Sequence, residues 1–258
     1  MHPRTCYQLL IGTLFSFLIA QMPSEAATAS AVNGPTLIAG IASAFSSGQP
    51  INSVQLSGKV QRAAGSTSDS GPITLTANAD GSAQLRFDFS GGSLSETQTA
   101  TGGARDCQWT GPDSVTHDSS GSNCWPSLTW FLPQVMLQPG TVSSHLSTTY
   151  LGVQPTAAGS LHALESQMVV ASATQDAKVA AQIQGQSMAI LYVDPATLLP
   201  SILDYSVLTD SGSAMIAVEV RFSNYQKLAG LTVPGHIERY LNGSLDLSID
   251  VTQASVLN

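Results

Sequence analysis

The sequence has few charged residues: only 10% of its 258 positions are Asp, Glu, Lys or Arg, against about 25% in an average soluble domain. It contains three lysines, Lys59, Lys178 and Lys227. The formal net charge is −8, and the nine basic residues are scattered along the chain. A nucleic-acid-binding surface needs clustered Lys and Arg side chains. We therefore expect no nucleic-acid partner.

The signature motifs of common hydrolases are also absent. There is no G-x-S-x-G elbow, no S-x-x-K and no H-E-x-x-H. The sequence Gly-Gln-Ser-Met-Ala at 185–189 resembles an elbow, but it precedes a predicted strand, whereas an elbow follows one. Cys and His residues lack metal-ligand spacing. We predict a non-catalytic protein without a metal site or cofactor. A secreted hydrolase is the weaker alternative, since triad residues need not be close in sequence.

Long apolar runs are missing after the first 20 residues. The run at 9–20 follows Arg4 and is followed by Pro23 and by the small-residue site Ser-Glu-Ala at 24–26. It has 12 residues, whereas a membrane-spanning helix needs about 20. This pattern predicts a signal peptide over residues 1–26 and then a flexible start over 27–34. We expect an exported protein, periplasmic or extracellular, whose mature chain has no membrane span.

Cysteine is scarce, and the predicted signal peptide contains one of the three cysteines. The remaining pair, Cys107 and Cys124, predicts a disulfide in an oxidising compartment. The segment between them is polar and rich in turn residues, so burial alone would not order it. Closing a loop of this length stabilises the fold by roughly 3 kcal/mol in the chain-entropy model.

Hydrophobic periodicity predicts a mainly β protein with one domain over residues 35–258. A helix is predicted at 36–47, because Leu37, Ile41 and Phe45 recur at helical spacing. After it, apolar and polar residues alternate in about eleven segments, joined by turns such as Asn242-Gly243. This pattern is typical of an antiparallel meander. The nearly all-polar segment 93–101 indicates either an edge strand or a strand solvated on both faces.

Two further short helices complete the prediction. The aromatic segment 125–137 suits one helix with Pro126 in its first turn and Pro133 ending or kinking it. The segment 174–184 suits another, capped by Thr174 and stopped by Gly185.

Three segments of the C-terminal half carry a family resemblance. They are Tyr-Val-Asp-Pro-Ala-Thr-Leu-Leu-Pro at 192–200, Val-Arg-Phe-Ser-Asn-Tyr at 220–225 and Gly-Leu-Thr-Val-Pro at 230–234. Together they resemble the C-terminal half of lipoprotein-localisation carriers of the LolA/LolB type. The sequence is also similar to uncharacterised secreted bacterial proteins with the same ending. The resemblance implies a curved antiparallel sheet, an incomplete β-barrel that shelters acyl chains. The resemblance does not identify any functional residue.

We therefore expect a non-catalytic secreted protein that binds an apolar or amphipathic, lipid-like ligand in the concavity of its sheet. Aromatic residues near the disulfide favour a core that packs on the bridge, and the alternative is that they line an apolar ligand pocket. The alternative is a structural or surface-interaction protein with a filled core. The predicted ligand-binding residues are Leu85, Phe87, Trp109, Trp125, Trp130, Phe131, Val220, Phe222, Leu245 and Leu247.

Overall fold

The structure is a computed structural model that describes residues 32–64, 67–101, 104–119, 124, 129–137, 146–169, 177–209 and 214–257. The predicted signal peptide lies outside these residues, as does most of the predicted flexible start. Within the described ranges, no helix combines the length and apolar character needed to cross a membrane.

Three helices and fifteen strands are present in the described residues. The helices are α1 (Gly34–Ser46), α2 (Pro133–Met136) and α3 (Ala177–Gln186). The strands of the first half are β1 (Ser53–Ala64), β2 (Thr67–Asn78), β3 (Ala83–Phe89), β4 (Gly92–Thr101), β5 (Ala104–Thr110), β6 (Thr116–Asp118) and β7 (Leu146–Thr156). The strands of the second half are β8 (Gly159–Met168), β9 (Ala189–Val193), β10 (Pro200–Leu208), β11 (Met215–Ser223), β12 (Gln226–Leu228), β13 (Leu231–Val233), β14 (His236–Leu241) and β15 (Ser244–Leu257).

Thirteen of the strands form one antiparallel sheet in the order β6-β5-β4-β3-β2-β1-β15-β14-β11-β10-β9-β8-β7. The sheet does not close, because β6 and β7 are its two edges. Strands β12 and β13 form a separate hairpin. The predicted mainly β, curved and incompletely closed architecture is confirmed. The strand count exceeds the predicted eleven partly because three-residue strands such as β12 are too short to show alternation.

The polar strand β4 is not an edge strand. It pairs with β3 on one side and with β5 on the other, so the edge interpretation of segment 93–101 is wrong. Polar residues are tolerated here because part of the inner face of this strand borders a cavity, described below.

Helix α1 confirms the predicted N-terminal helix and begins two residues earlier. The Asn33 side chain accepts a hydrogen bond from the Thr36 backbone N–H at 3.0 Å, and the Thr36 hydroxyl accepts one from the Asn33 N–H at 3.1 Å. This capping box satisfies two N–H groups that lack helical partners. Leu37, Ile41 and Phe45 are fully buried on one face of the helix. Burial of this face anchors α1 to the sheet.

The helix prediction around Pro133 is wrong in its position. Residues 129–132 form a turn, and Pro133 begins helix α2 instead of ending a longer one. Proline suits the first position of a helix because its missing N–H has no partner there and its φ is already helical. The first residues of the predicted helix, 125–128, lie outside the described residues. Helix α3 overlaps the predicted 174–184 but continues through Gly185, and Thr174 lies outside the described residues.

The inner face of the sheet is covered over only part of its area. Along the strands, one set of residues packs on α1 and on the 130–137 segment, which includes α2. This set forms the core. Ile73, Phe87, Val220, Phe222 and Ile249 belong to this packed part and are buried. The other set, nearer the opposite ends of the strands, borders open space. The fold therefore leaves a cavity beside its core.

The predicted disulfide between Cys107 and Cys124 is present, with 5.4 Å between the two Cα atoms. Both cysteines are buried. The bridge ties the middle of β5 to residue 124 and closes the loop that carries β6.

The segments that carry the family resemblance form a connected structural unit. Asp194 accepts hydrogen bonds from the backbone N–H groups of Ala196 and Thr197, which closes the turn between β9 and β10. These backbone bonds lower the pKa of Asp194, with burial opposing them. The Tyr225 hydroxyl donates to the Pro200 carbonyl at 2.8 Å. The motif thus specifies strand connections and no chemistry.

Candidate ligand-binding cavity

A cavity of about 790 Å³ opens on the inner face of the sheet. One wall comes from β3, β4, β5 and β6, and the facing wall comes from β10, β11 and β14, with Trp130 between them. Its volume lies within the range of roughly 300–1,000 Å³ that small-molecule sites occupy. The two walls face each other because the open sheet curves over the core.

Aliphatic and aromatic side chains supply much of the lining. Leu85 and Trp109 stand on the first wall, and Val207 and Leu241 on the second. The Trp109 ring stacks on His117 with 4.3 Å between ring centroids, and 41% of Trp109 is exposed. Trp130 is buried and meets Phe131 edge to face at 5.6 Å. The exposed parts of this lining offer apolar surface to a ligand.

A partly buried ion pair lies in the second wall. Arg239 donates from Nε and Nη2 to Asp246 Oδ2 at 2.9 and 2.6 Å. The two side chains are 18% and 12% exposed. The Arg239 guanidinium also lies over the Trp130 ring, 5.0 Å from its centroid. Burial alone would lower the pKa of Arg239, but the carboxylates of Asp246 and Glu96 outweigh it and raise that pKa.

A β-bulge explains how Asp246 reaches the inner face. Arg239 pairs with Leu247, but the next residue, Tyr240, pairs with Leu245, so Asp246 is the extra residue of the β15 strand. A bulge re-aims the side chains on either side of it. Asp246 is consequently directed at Arg239, and Leu245 shares the outer face with Tyr240.

Polar residues of β4 complete the first wall. Gln98 is buried, and its Nε2 donates to the Gly81 carbonyl at 2.8 Å. Glu96 lies opposite Leu85 on one side and opposite Trp109 on the other. The ion pairs found among the described residues do not include Glu96. Tyr205, across the cavity, has its pKa raised mainly by burial. The lining is therefore amphipathic.

Three of the predicted ligand-binding residues, Leu85, Trp109 and Trp130, line the cavity. Others pack in the core: Phe87, Phe131, Val220, Phe222 and Leu247. Leu245 is 39% exposed on the outer face because of the bulge at Asp246. Trp125 lies outside the described residues.

Sequence reasoning missed the polar lining residues Glu96, Gln98, Tyr205 and Arg239. A signal for the first two exists in the sequence: the 93–101 segment lacks the apolar alternation of its neighbours. A polar strand between two half-buried strands is expected to border water or a ligand. A signal for Arg239 exists as well: it alternates with Ile237 and Leu241 along β14, which places it on the face of the buried Ile237.

The outer face has a shallower depression of about 520 Å³ beside β9, β10 and β11. Asp204 lies in it, and burial, helped by the nearby Glu219 carboxylate and opposed by Arg221, raises the pKa of Asp204 to about 6. Arg221 donates to Glu219 at 2.6 Å and lies over the Tyr240 ring at 4.5 Å. The charged side chains in the lining of this depression are Asp204, Glu219 and Arg221.

A search of the described ranges finds no group of three or more His, Cys, Asp or Glu side chains placed to hold a metal ion.

Comparison with solved structures identifies the architecture. A LolA superfamily protein from Nitrosomonas europaea matches with a TM-score of 0.54 and 14% identity, over 88% of this chain and 95% of that one. The protein has a LolA-like fold. A DUF1329 family protein from Desulfovibrio piger matches with a TM-score of 0.51 and 15% identity, over 85% of this chain and 90% of that one. The sequence matches no protein-family model and no curated protein.

The LolA-like fold confirms the expectation drawn from residues 192–234. At these identities the likeness concerns the fold, and the residues that line the cavity are this chain's own. This architecture provides an open, curved sheet in which a cavity can form beside the core.

Proposed function

We propose that the protein is a non-catalytic carrier or binding protein for an apolar or amphipathic, lipid-like ligand. The observation that supports this is the 790 Å³ cavity on the inner face, lined by Leu85, Trp109, Trp130, Val207 and Leu241. Sites for small ligands are concave, largely apolar and equipped with a few polar groups. The LolA-like fold and the predicted signal peptide agree with a role outside the cytoplasm.

The experiment compares two substitutions in one hairpin, Leu241→Trp and Leu245→Trp. Leu241 lines the cavity, whereas Leu245 lies on the outer face of the next strand. Binding is followed with the fluorescent apolar probe N-phenyl-1-naphthylamine, after the protein has been delipidated. We expect Leu241→Trp to fill the cavity and weaken probe binding at least about tenfold, a loss on the order of the burial energy of a few methylenes.

Leu245→Trp is the matched control and is expected to bind like the wild type. Circular dichroism and urea unfolding check that both variants are folded. Equal probe binding by both variants, or no binding by the wild type, would contradict the proposal.

A second function has support from the packed part of the inner face. Phe87, Val220, Phe222 and Leu247 are buried in the core and are not among the residues that line the cavity. A structural or surface-interaction protein with a filled core would have this packing over its whole inner face. The cavity beside the core is the observation that favours the carrier over this alternative.

A further inference from the structure

The charges around the cavity are unbalanced. Two carboxylates, Glu96 and Asp118, and one guanidinium, Arg239, line it. The guanidinium is already paired with a third carboxylate, Asp246. Among the described lining residues, carboxylates outnumber guanidinium groups, and Arg239, whose pKa the Glu96 carboxylate helps to raise, forms its ion pair with Asp246. The cavity therefore offers a negative potential to its occupant.

The arrangement of Arg239 argues against an anionic occupant. Its Nε and one terminal nitrogen donate to Asp246, and the flat face of its guanidinium covers Trp130. An anion would have to displace Asp246, whose carboxylate would then lie buried and unpaired. Breaking a buried pair in this way is strongly unfavourable.

Glu96 and Trp109 together form a surface suited to a cation. The two residues are direct neighbours on adjacent strands and share the inner face. Side chains at such positions start about 5 Å apart. A carboxylate beside an exposed indole ring attracts an ammonium group by charge and by cation–π interaction. The apolar lining of Leu85 next to Glu96 can receive the attached chain.

We propose that the cavity selects amphiphiles with an amine or quaternary ammonium head group over anionic amphiphiles of the same chain length. This inference rests on the proposed binding function and names the chemical class of its ligand. Glu96 is the residue that recognises the head group, with Trp109 beside it.

The test measures binding of dodecyltrimethylammonium, dodecanoate and neutral dodecyl maltoside by isothermal titration calorimetry. All three have a twelve-carbon chain, counting the carboxyl carbon of dodecanoate, and are used below their micellar concentrations at neutral pH and low salt. For the wild type we expect the ammonium probe to bind roughly tenfold more tightly than dodecanoate, as one half-buried ion pair and one cation–π contact would give. Glu96→Gln should remove this preference without weakening dodecanoate binding.

Glu165→Gln is the matched control, because Glu165 lies on the outer face of β8, opposite Ile190 of β9. It should keep the preference of the wild type. Equal or tighter binding of dodecanoate by the wild type, or a preference that persists in Glu96→Gln, would overturn the inference. Those outcomes leave the proposed function in place as long as the neutral probe binds. Failure of all three probes to bind the wild type would instead contradict the proposed function.

Discussion

At the scale of single residues, the environment of Asp204 raises its pKa and so makes the stability of the protein depend on pH. Its pKa is about 6, against an ordinary value of 3.8. The folded state therefore binds more protons than the unfolded state between about pH 4 and pH 6. It follows that Asp204 makes the protein less stable as the pH rises through this interval.

We predict that Asp204→Asn raises the free energy of unfolding more at neutral pH than at about pH 4. The amide carries no charge, so the penalty for a half-buried carboxylate beside Glu219 is removed. Urea unfolding across this pH range measures the difference between variant and wild type. Glu165→Gln on the same outer face is the control. A difference for Asp204→Asn that does not change with pH would contradict the account.

Residues also show how far the sequence could predict the site. The alternation Leu245, Leu247, Ile249 predicts one common face, and it is correct for Leu247 and Ile249, which are both buried. It is wrong for Leu245, because the register with β14 shifts at Asp246. A bulge depends on pairing between strands, and alternation within one strand does not reveal it. The inward direction of Asp246 was unpredictable for the same reason.

At the scale of elements, the predictions that agree best with the structure are those that depend on short segments of sequence. The hairpin signal Asn242-Gly243 is confirmed, with both residues at positive φ, 48° and 79°. This is the backbone that a two-residue turn requires. Helix α1 is likewise confirmed, since its apolar spacing and cap are local. The polar strand β4 was misjudged as a candidate edge strand, because its place between β3 and β5 is a matter of topology and not of composition.

The loop closed by the disulfide is the element whose loss should affect stability and binding together. Cys107 lies in the cavity wall, and the loop beyond it carries His117, Asp118 and Ser119 of the lining. The bridge restricts this polar loop, which has little apolar surface to bury. Its loss therefore frees part of the first wall.

We predict that the double substitution Cys107→Ser and Cys124→Ser lowers the free energy of unfolding by roughly 3 kcal/mol. Binding of N-phenyl-1-naphthylamine should weaken in the same variant. Urea unfolding and probe titration measure the two effects, and the reduced wild type is the control that should reproduce both. An unchanged unfolding midpoint in the double variant would show that the bridge does not restrain the loop.

At the scale of the whole molecule, the same strands of the sheet contribute residues to the core and to the cavity. Where α1, α2 and the 130–137 segment cover its inner face, residues such as Val220 and Ile249 form the core. Where they do not, Tyr205, Val218 and Leu241 border the cavity. Sequence periodicity predicts which residues point inward, but it does not predict which of them the helices cover.

Low charge is a property of the whole chain, and it now has a structural interpretation. With 10% charged residues, few charges are available near the cavity, and their positions are specific. Arg239 is matched by Asp246, whereas Glu96 faces the cavity beside Trp109. This arrangement is the basis for the proposed preference for cationic amphiphiles.

We propose that the inner cavity holds a lipid-like molecule in the native protein. Native mass spectrometry of detergent-free protein, purified from its own compartment, shows directly whether such a molecule is bound. We predict wild-type ions heavier than the mature chain by the mass of an extractable amphipathic molecule. That added mass should be missing from Leu241→Trp and kept in Leu245→Trp. Repeated detection of the bare chain alone for the wild type would contradict the account.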